Sequence, residues 1–160
     1  MSMQITNQAD YALRSMLYIA KYAESQLIPS NTIAEEMQIS RIFLSRINSQ
    51  LVNAGLIRTR RGARGGVMLA KPAAEISIYD VVTTIDGPVT LIDCIADPDT
   101  CPLSPNCPYR SFWEETQNAL IARMKAVSLQ DLLANTGKVG LGLSSQPVSL
   151  GTDQIAVHGR

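Results

Sequence analysis

Two groups of side chains in this sequence could do chemistry. Cys94, Cys101 and Cys107 lie within 14 residues and are the only cysteines. Their spacing is C-x6-C-x5-C, with proline after Cys101 and after Cys107. Thiolates are soft donors, and three together suit a soft metal ion or an iron–sulfur cluster. The prolines stiffen the loop and withhold backbone donors. An odd cysteine count without a secretory signal argues against a disulfide framework. The spacing is not that of a zinc ribbon, and zinc would need a fourth ligand. The one histidine, His158, is far away and reads as a solvated tail residue. Three unliganded, redox-active thiols are the alternative.

The second group is basic. The net charge is zero, with 14 basic and 14 acidic residues. Half of the bases nevertheless fall between Arg41 and Lys71, namely Arg41, Arg46, Arg58, Arg60, Arg61, Arg64 and Lys71. No acid lies between Glu36 and Glu75. A neutral chain with one basic block points to a local polyanion site. The plainer alternative is a solvated charged loop.

The elements that must position these groups are legible from periodicity and punctuation. Thr6 or Asn7 can cap a first helix, with Asp10 in its positive first turn. Ala9, Ala12, Leu13, Met16, Leu17 and Ala20 follow one helical face. Ser30 or Asn31 can cap a short helix through Met37, with Ile33, Ala34 and Met37 inward. After a tight turn at Gln38–Ser40, Ser40 caps a helix to about Ala54, with Leu44, Ile47, Leu51 and Ala54 as its core stripe. Gly55 suits a left-handed stop. Residues 56–59 and 67–69 read as two strands, and the RRGARGG between them supplies three glycines for a hairpin. Helix, turn, helix and basic hairpin is the order of a winged helix-turn-helix.

Further on, Ser77 and Asp80 signal a helix over 78–85, ended by Gly87-Pro88. A loop rich in Cys, Asp and Pro fills 91–108. Pro108 suits the first position of a helix over 109–126, with Trp113, Leu120, Met124 and Val127 at helical spacing beside Phe112 and Ala119. Cys107 would then sit at a helix start, where bound negative charge is favoured. Ser128 and Asp131 cap a last short helix. Half of the ten glycines fall after Asn135, so 135–160 reads as a flexible tail.

The fold predicted is mainly α. It comprises a winged helix-turn-helix domain over 1–86, a cysteine-rich loop over 87–108, a long helix with a short terminal helix over 109–134, and the tail. A helix in the major groove reads bases mostly with its N-terminal residues. Those are Ser40, Arg41, Ile42, Ser45, Arg46 and Ser49, largely off the Leu44–Ile47–Leu51 face. Arg41 and Arg46 could meet guanine or phosphate. Arg60, Arg61 and Arg64, spaced by small residues, suit the negative potential of a narrow groove.

These segments together resemble the family of dimeric winged-helix repressors that includes the regulators IscR, NsrR and RirA. The carrying segments are ITNQADYALR, ISRIFLSRINSQLVNAGLI, TRRGARGGVMLAKPA and the three-cysteine loop, so the resemblance covers about residues 3–134. It implies a homodimer built on the long helix and binding near-palindromic promoter DNA. It also implies an iron–sulfur cluster on Cys94, Cys101 and Cys107, supplied by cluster-assembly machinery, whose state tunes DNA affinity. The signal would be nitric oxide, oxygen or redox state, or iron supply. IscR-like members place a histidine three residues after the last cysteine, where this sequence has Arg110, which cannot ligate. NsrR-like members use an aspartate that corresponds to Asp10, which implies an oxygen ligand from the partner subunit to a four-iron cluster. The first cysteine gap is one residue longer than in IscR and NsrR, so a two-iron cluster stays open, as do Asp93, Asp97 and Asp99 as ligands.

The sequence speaks against other classes. It has no glycine-rich nucleotide loop and no acid–base pair for an enzyme, and a small iron–sulfur redox protein would leave the arginine wing unused. No apolar run approaches the about 18 residues of a membrane helix, and the N-terminus lacks a secretory pattern. A cytoplasmic regulator is expected, with a cluster-free thiol switch as the alternative.

Overall fold

Thr6 opens the first helix of the computed structural model, which describes residues 5–22 and 26–135. Its hydroxyl accepts from the Ala9 amide at 3.1 Å, so the cap is Thr6 rather than Asn7. Helix α1 spans Asn7–Tyr22. Ala9, Ala12, Met16 and Ala20 are buried as the periodicity predicts. Ser15, Tyr18 and Ile19 are buried too, whereas Leu13 and Leu17 are half-buried. The stripe is wider and rotated because several later helices pack around α1. Buried Ser15 is satisfied by donating to the Tyr11 carbonyl at 2.8 Å.

Helix α2 spans Ser30–Glu36. Neither Ser30 nor Asn31 caps it. Pro29 occupies that position without a side-chain bond, and its carbonyl accepts from the Ile33 amide at 3.3 Å. The fixed φ of proline thus starts the helix one residue early. Gln38, at φ 53°, reverses the chain. Ser40 then caps α3 (Arg41–Asn53), its Oγ accepting from the Phe43 amide at 3.3 Å. Leu44, Ile47 and Leu51 are buried as expected. Ala54, expected on the same stripe, is exposed, because the chain turns away at Gly55, whose φ is 70°. The Gly55 amide donates to the Val52 carbonyl and the Leu56 amide to the Leu51 carbonyl, each at 2.9 Å. These are the two bonds of a Schellman stop.

Because the Leu56 amide is used there, strand β1 starts one residue later than expected, at Ile57–Arg60. It pairs antiparallel with β2 (Gly66–Leu69), Ile57 opposite Leu69 and Arg60 opposite Gly66. Of the three wing glycines only Gly62 has a positive φ, 108°. The other two are needed for close approach. A Cβ on Gly65 would lie 2.2 Å from the Arg60 carbonyl oxygen, and one on Gly66 2.6 Å from that of Ile28. The second contact exposes an unforeseen link. Ile28 and Val67 exchange backbone hydrogen bonds of 3.0 and 2.8 Å, tying the root of the wing to the segment before α2.

A 3₁₀ turn at Ala73–Glu75 leads to α4 (Ile78–Asp86), opened by the predicted capping box of Ser77 and Asp80 and stopped at Gly87. Asp86 accepts from the Thr6 amide at 3.0 Å and the Thr6 hydroxyl at 2.5 Å, joining the end of α4 to the start of α1. The cysteine loop is more structured than predicted. It contains a four-residue helix, α5 (Asp93–Ala96), and 3₁₀ turns at Pro98–Thr100 and Ser104–Asn106. Helix α6 spans Arg110–Lys125 with Tyr109 as its N-cap. Pro108 is therefore not the first helical residue, because the Arg110 amide donates to the Cys107 carbonyl at 3.2 Å in a preceding turn. On α6 only Met124 is buried; Leu120 and Val127, which follows the helix, are half-buried.

Helix α7 (Leu129–Asn135) starts at Ser128, which forms a capping box with Asp131. The two capping boxes lie side by side. Ser77 and Ser128 pair as an antiparallel bridge, with Ile78 donating to Val127 at 3.0 Å and Leu129 to Ile76 at 2.9 Å. Asn135 ends α7 rather than starting the tail, and its side chain donates to the Asp131 carbonyl at 2.9 Å. The rest of the expected flexible tail, with His158, lies outside the described residues. The core gathers Met16, Ile19, Ile33, Leu44, Ile47, Leu51, Ile57, Val67, Ile76, Val81 and Leu129.

Two predictions follow from this framework. Gly66→Ala should break the bridge to Ile28 and destabilise the chain by about 1–3 kcal/mol, read as a lower midpoint in urea unfolding. The hydrogen bonds from Ser128 hold the Asp131 carboxyl below its ordinary value. A lowered folded-state value stabilises above the unfolded one and is lost as pH falls through the folded one. Ser128→Ala should therefore let Asp131 titrate at higher pH, as followed by carboxyl carbon NMR.

Candidate functional site

Burying Leu44, Ile47 and Leu51 dictates what α3 shows to solvent. Ser40, Arg41, Ile42, Ser45, Arg46 and Ser49 are all exposed, as are Arg60, Arg61 and Arg64 on the wing. The Schellman stop and the Ile28 bridge hold the wing beside the helix. Between them runs an open groove of about 750 Å³, with Arg41, Ser45 and Ser49 on one wall and Arg60 and Arg61 on the other. Arg46 and Ile42 stand on α3 outside the groove lining, and Arg64 stands beyond it on the wing.

The groove holds residues that sequence reasoning passed over. Ser30 and Asn31 enter from α2, Thr59 from β1, and Asn48 and Asn53 from α3. Asn48 is 8% exposed, and its Oδ1 has no hydrogen-bond partner. It stands at i+4 from Leu44, on the apolar stripe, where an amide is out of place; that was the available signal. Phe43 is also half in solvent beside Ile42.

The electrostatics favour an anion. Arg41 is paired at 3.3 Å with Glu35, both side chains about two-thirds exposed. Such a pair is weak, so a phosphate can take Arg41 from it. The arginines of the wing form none of the ion pairs found among the described residues. A helix with polar residues outward beside an arginine hairpin can enter one DNA groove while the hairpin reaches the next.

The cysteines occupy three successive turns. Cys94 lies in α5, Cys101 follows the first 3₁₀ turn and Cys107 follows the second. All three are free thiols of intermediate exposure. Cys107 lies three residues before α6 rather than directly at the helix start. Arg110 ties this loop together. Its Nη1 donates to the Cys94 carbonyl at 3.2 Å and to the buried Ser104 hydroxyl at 2.7 Å, and its Nε pairs with Glu114 at 2.9 Å. A position that cannot ligate thus braces the Cys94 turn against α6.

Among the described residues no three Cys, His, Asp or Glu side chains are gathered around a point that could hold one metal ion. That concerns a single ion, whereas a multi-iron cluster distributes its cysteine ligands over more than one iron. In chemistry the donor set, three free thiols within one loop, suits three ligands of such a cluster; a fourth is not brought to them. Asp10 lies on α1 in an ion pair with Arg14. Asp97 accepts from the Asp99 amide at 3.1 Å, and Asp93 starts α5. No described helix is long and apolar enough to cross a membrane.

Comparison with known proteins agrees with this architecture. Residues 5–135 match the family model Rrf2, described as an iron-dependent transcriptional regulator. The chain is 32% identical over 146 residues to the HTH-type transcriptional regulator NsrR of Halalkalibacterium halodurans, covering 91% of this chain and all of that one. It is similar in structure to CymR, the global cysteine regulator of B. subtilis, with a TM-score of 0.70 and 26% identity over 83% of this chain and 98% of that one. T. potens IscR shares the fold at a TM-score of 0.69 and 20% identity, covering 90% of this chain and 93% of that one. These relatives are regulators rather than enzymes. The chain belongs to the Rrf2 family of DNA-binding, winged-helix transcriptional regulators.

Proposed function

We propose that two copies of this chain bind near-palindromic promoter DNA, and that an iron–sulfur cluster on Cys94, Cys101 and Cys107 sets their affinity. The observation that carries the DNA reading is the shared groove, which joins the polar face of α3 to Arg60 and Arg61. Pairing of two copies is supported by α6. Phe112 and Trp113, with Tyr109 and Leu103 just before the helix, leave apolar surface in water in a single chain, the kind of patch that marks an interface. The cluster is supported by the three free thiols of one loop and by the likeness to NsrR. Free thiols fit a reducing cytoplasm, and loading would need cluster-assembly machinery.

Asp10 of the partner is the proposed fourth ligand. Its pair with Arg14 joins two half-exposed side chains and is weak enough to yield. Asp93, Asp97 and Asp99 are the alternatives. When bound, a four-iron cluster with one oxygen ligand would supply a labile iron open to nitric oxide, oxygen or iron loss; a two-iron cluster is the alternative.

The chain's own residues transmit the change. Because Arg110 holds the Cys94 carbonyl and Glu114 together, displacement of the Cys94 turn pulls on the first turn of α6. If α6 is the pairing helix, this moves the two α3 helices relative to each other and changes their fit to paired half-sites. Regulation requires different DNA affinity in the two states; a tenfold change is about 1.4 kcal/mol.

A cluster-free thiol switch is the second reading, supported by the three free thiols and by the likeness to CymR, a global cysteine regulator. Iron and sulfide analysis of protein purified without oxygen separates the readings. A four-iron Mössbauer signal altered by Asp10→Ala is the expected result; colourless, iron-free protein would leave the thiol switch. For the DNA interface, Arg61→Ala should weaken binding to all duplexes alike and lower the slope of log K against log salt by about one.

A further inference from the structure

We infer that Ile42 reads the C5 methyl group of a pyrimidine, thymine in ordinary DNA, in the major groove; this rests on the proposed DNA interface of α3. Ile42 is 79% exposed, the most exposed large apolar side chain among the described residues. It stands in the first turn of α3, the part of such a helix that reaches base edges. Ile42, Ser45, Arg46 and Ser49 are spaced i, i+3, i+4 and i+7, so they form one outward stripe.

Chemistry narrows what an isoleucine on that stripe can recognise. It can neither donate nor accept a hydrogen bond, so phosphates, purine edges and the cytosine amine are poor partners. The one apolar group on a major-groove edge is the methyl at C5 of thymine. The side chain is also held for the purpose. The Ser40 cap fixes the first turn through the Phe43 amide. A β-branched side chain in a helix has one strongly preferred rotamer, so little freedom is lost on docking. Arg46, one turn on, is placed to contact the neighbouring base pair or phosphate.

The test uses full-length protein and a duplex recovered by it from a random library. Each thymine is replaced in turn by uracil, which deletes the methyl and keeps every hydrogen-bonding group. One thymine per half-site, or two adjacent ones, should weaken binding about fourfold per methyl. Ile42→Ala protein should bind the parent duplex more weakly and be indifferent to uracil at that position, while responding normally elsewhere. At the same position, guanine paired with 5-methylcytosine should bind better than guanine paired with cytosine, and equal binding of the two would overturn reading of the methyl. The inference is overturned if no thymine is methyl-sensitive, or if Ile42→Ala keeps the wild-type response to uracil. Recovery of no duplex at all would overturn the DNA interface itself, a different result from specific binding without methyl sensitivity.

Discussion

Burial of Leu44, Ile47 and Leu51 against the core is the constraint on which the functional surface depends. It fixes the rotation of α3, so the opposite face must carry Arg41, Ile42, Ser45, Arg46 and Ser49 into solvent. The same helix sets the wing. Its last turn ends in a left-handed glycine, and the bond from Leu56 to Leu51 aims the chain into β1. Slippage of α3 by one residue would bury Arg46 in one direction or Ser45 in the other and misdirect the hairpin as well, at a desolvation cost above the value of a surface contact. The same core contacts thus set both helix and wing.

The second region is built differently. The cysteine turns bury little apolar surface, and their order comes from backbone bonds, prolines and the Arg110 guanidinium. Few buried apolar contacts and several exposed turns are the marks of a segment that opens easily. That suits the switching role proposed for it. Arg110 spans the Cys94 carbonyl and Ser104, and through Glu114 it reaches into α6. The soft region is therefore linked to a long helix rather than left to move alone.

Much of this was legible in the sequence, for local reasons. The Ser40 cap, the Ser77–Asp80 and Ser128–Asp131 boxes and the Gly55 stop each depend on residues within a few positions of one another. What stayed hidden depends on distant partners. The Ile28–Val67 bridge joins segments far apart in sequence, and only the fold reveals that Gly66 serves close approach rather than a turn. Burial of Ser15, Tyr18 and Ile19 follows from several helices packing on α1, which no single periodicity contains. In the cysteine loop, helical and 3₁₀ turns of three or four residues are too short to leave a pattern. Arg110 was legible as a residue unable to ligate, but its bracing role depends on the fold bringing the Cys94 carbonyl to it.

The proposed regulation rests on coupling between the cysteine loop and the α3–wing surface. The most direct measurement is the affinity of one duplex for the same anaerobically purified protein before and after iron removal by a chelator, with the Cys94, Cys101 and Cys107→Ala triple variant alongside. Coupling predicts that iron removal changes affinity about tenfold or more, and that the triple variant matches the iron-free protein and ignores the chelator. Equal affinity of iron-containing, iron-free and triple-variant protein would contradict the account, leaving the cysteine loop without a role in DNA binding.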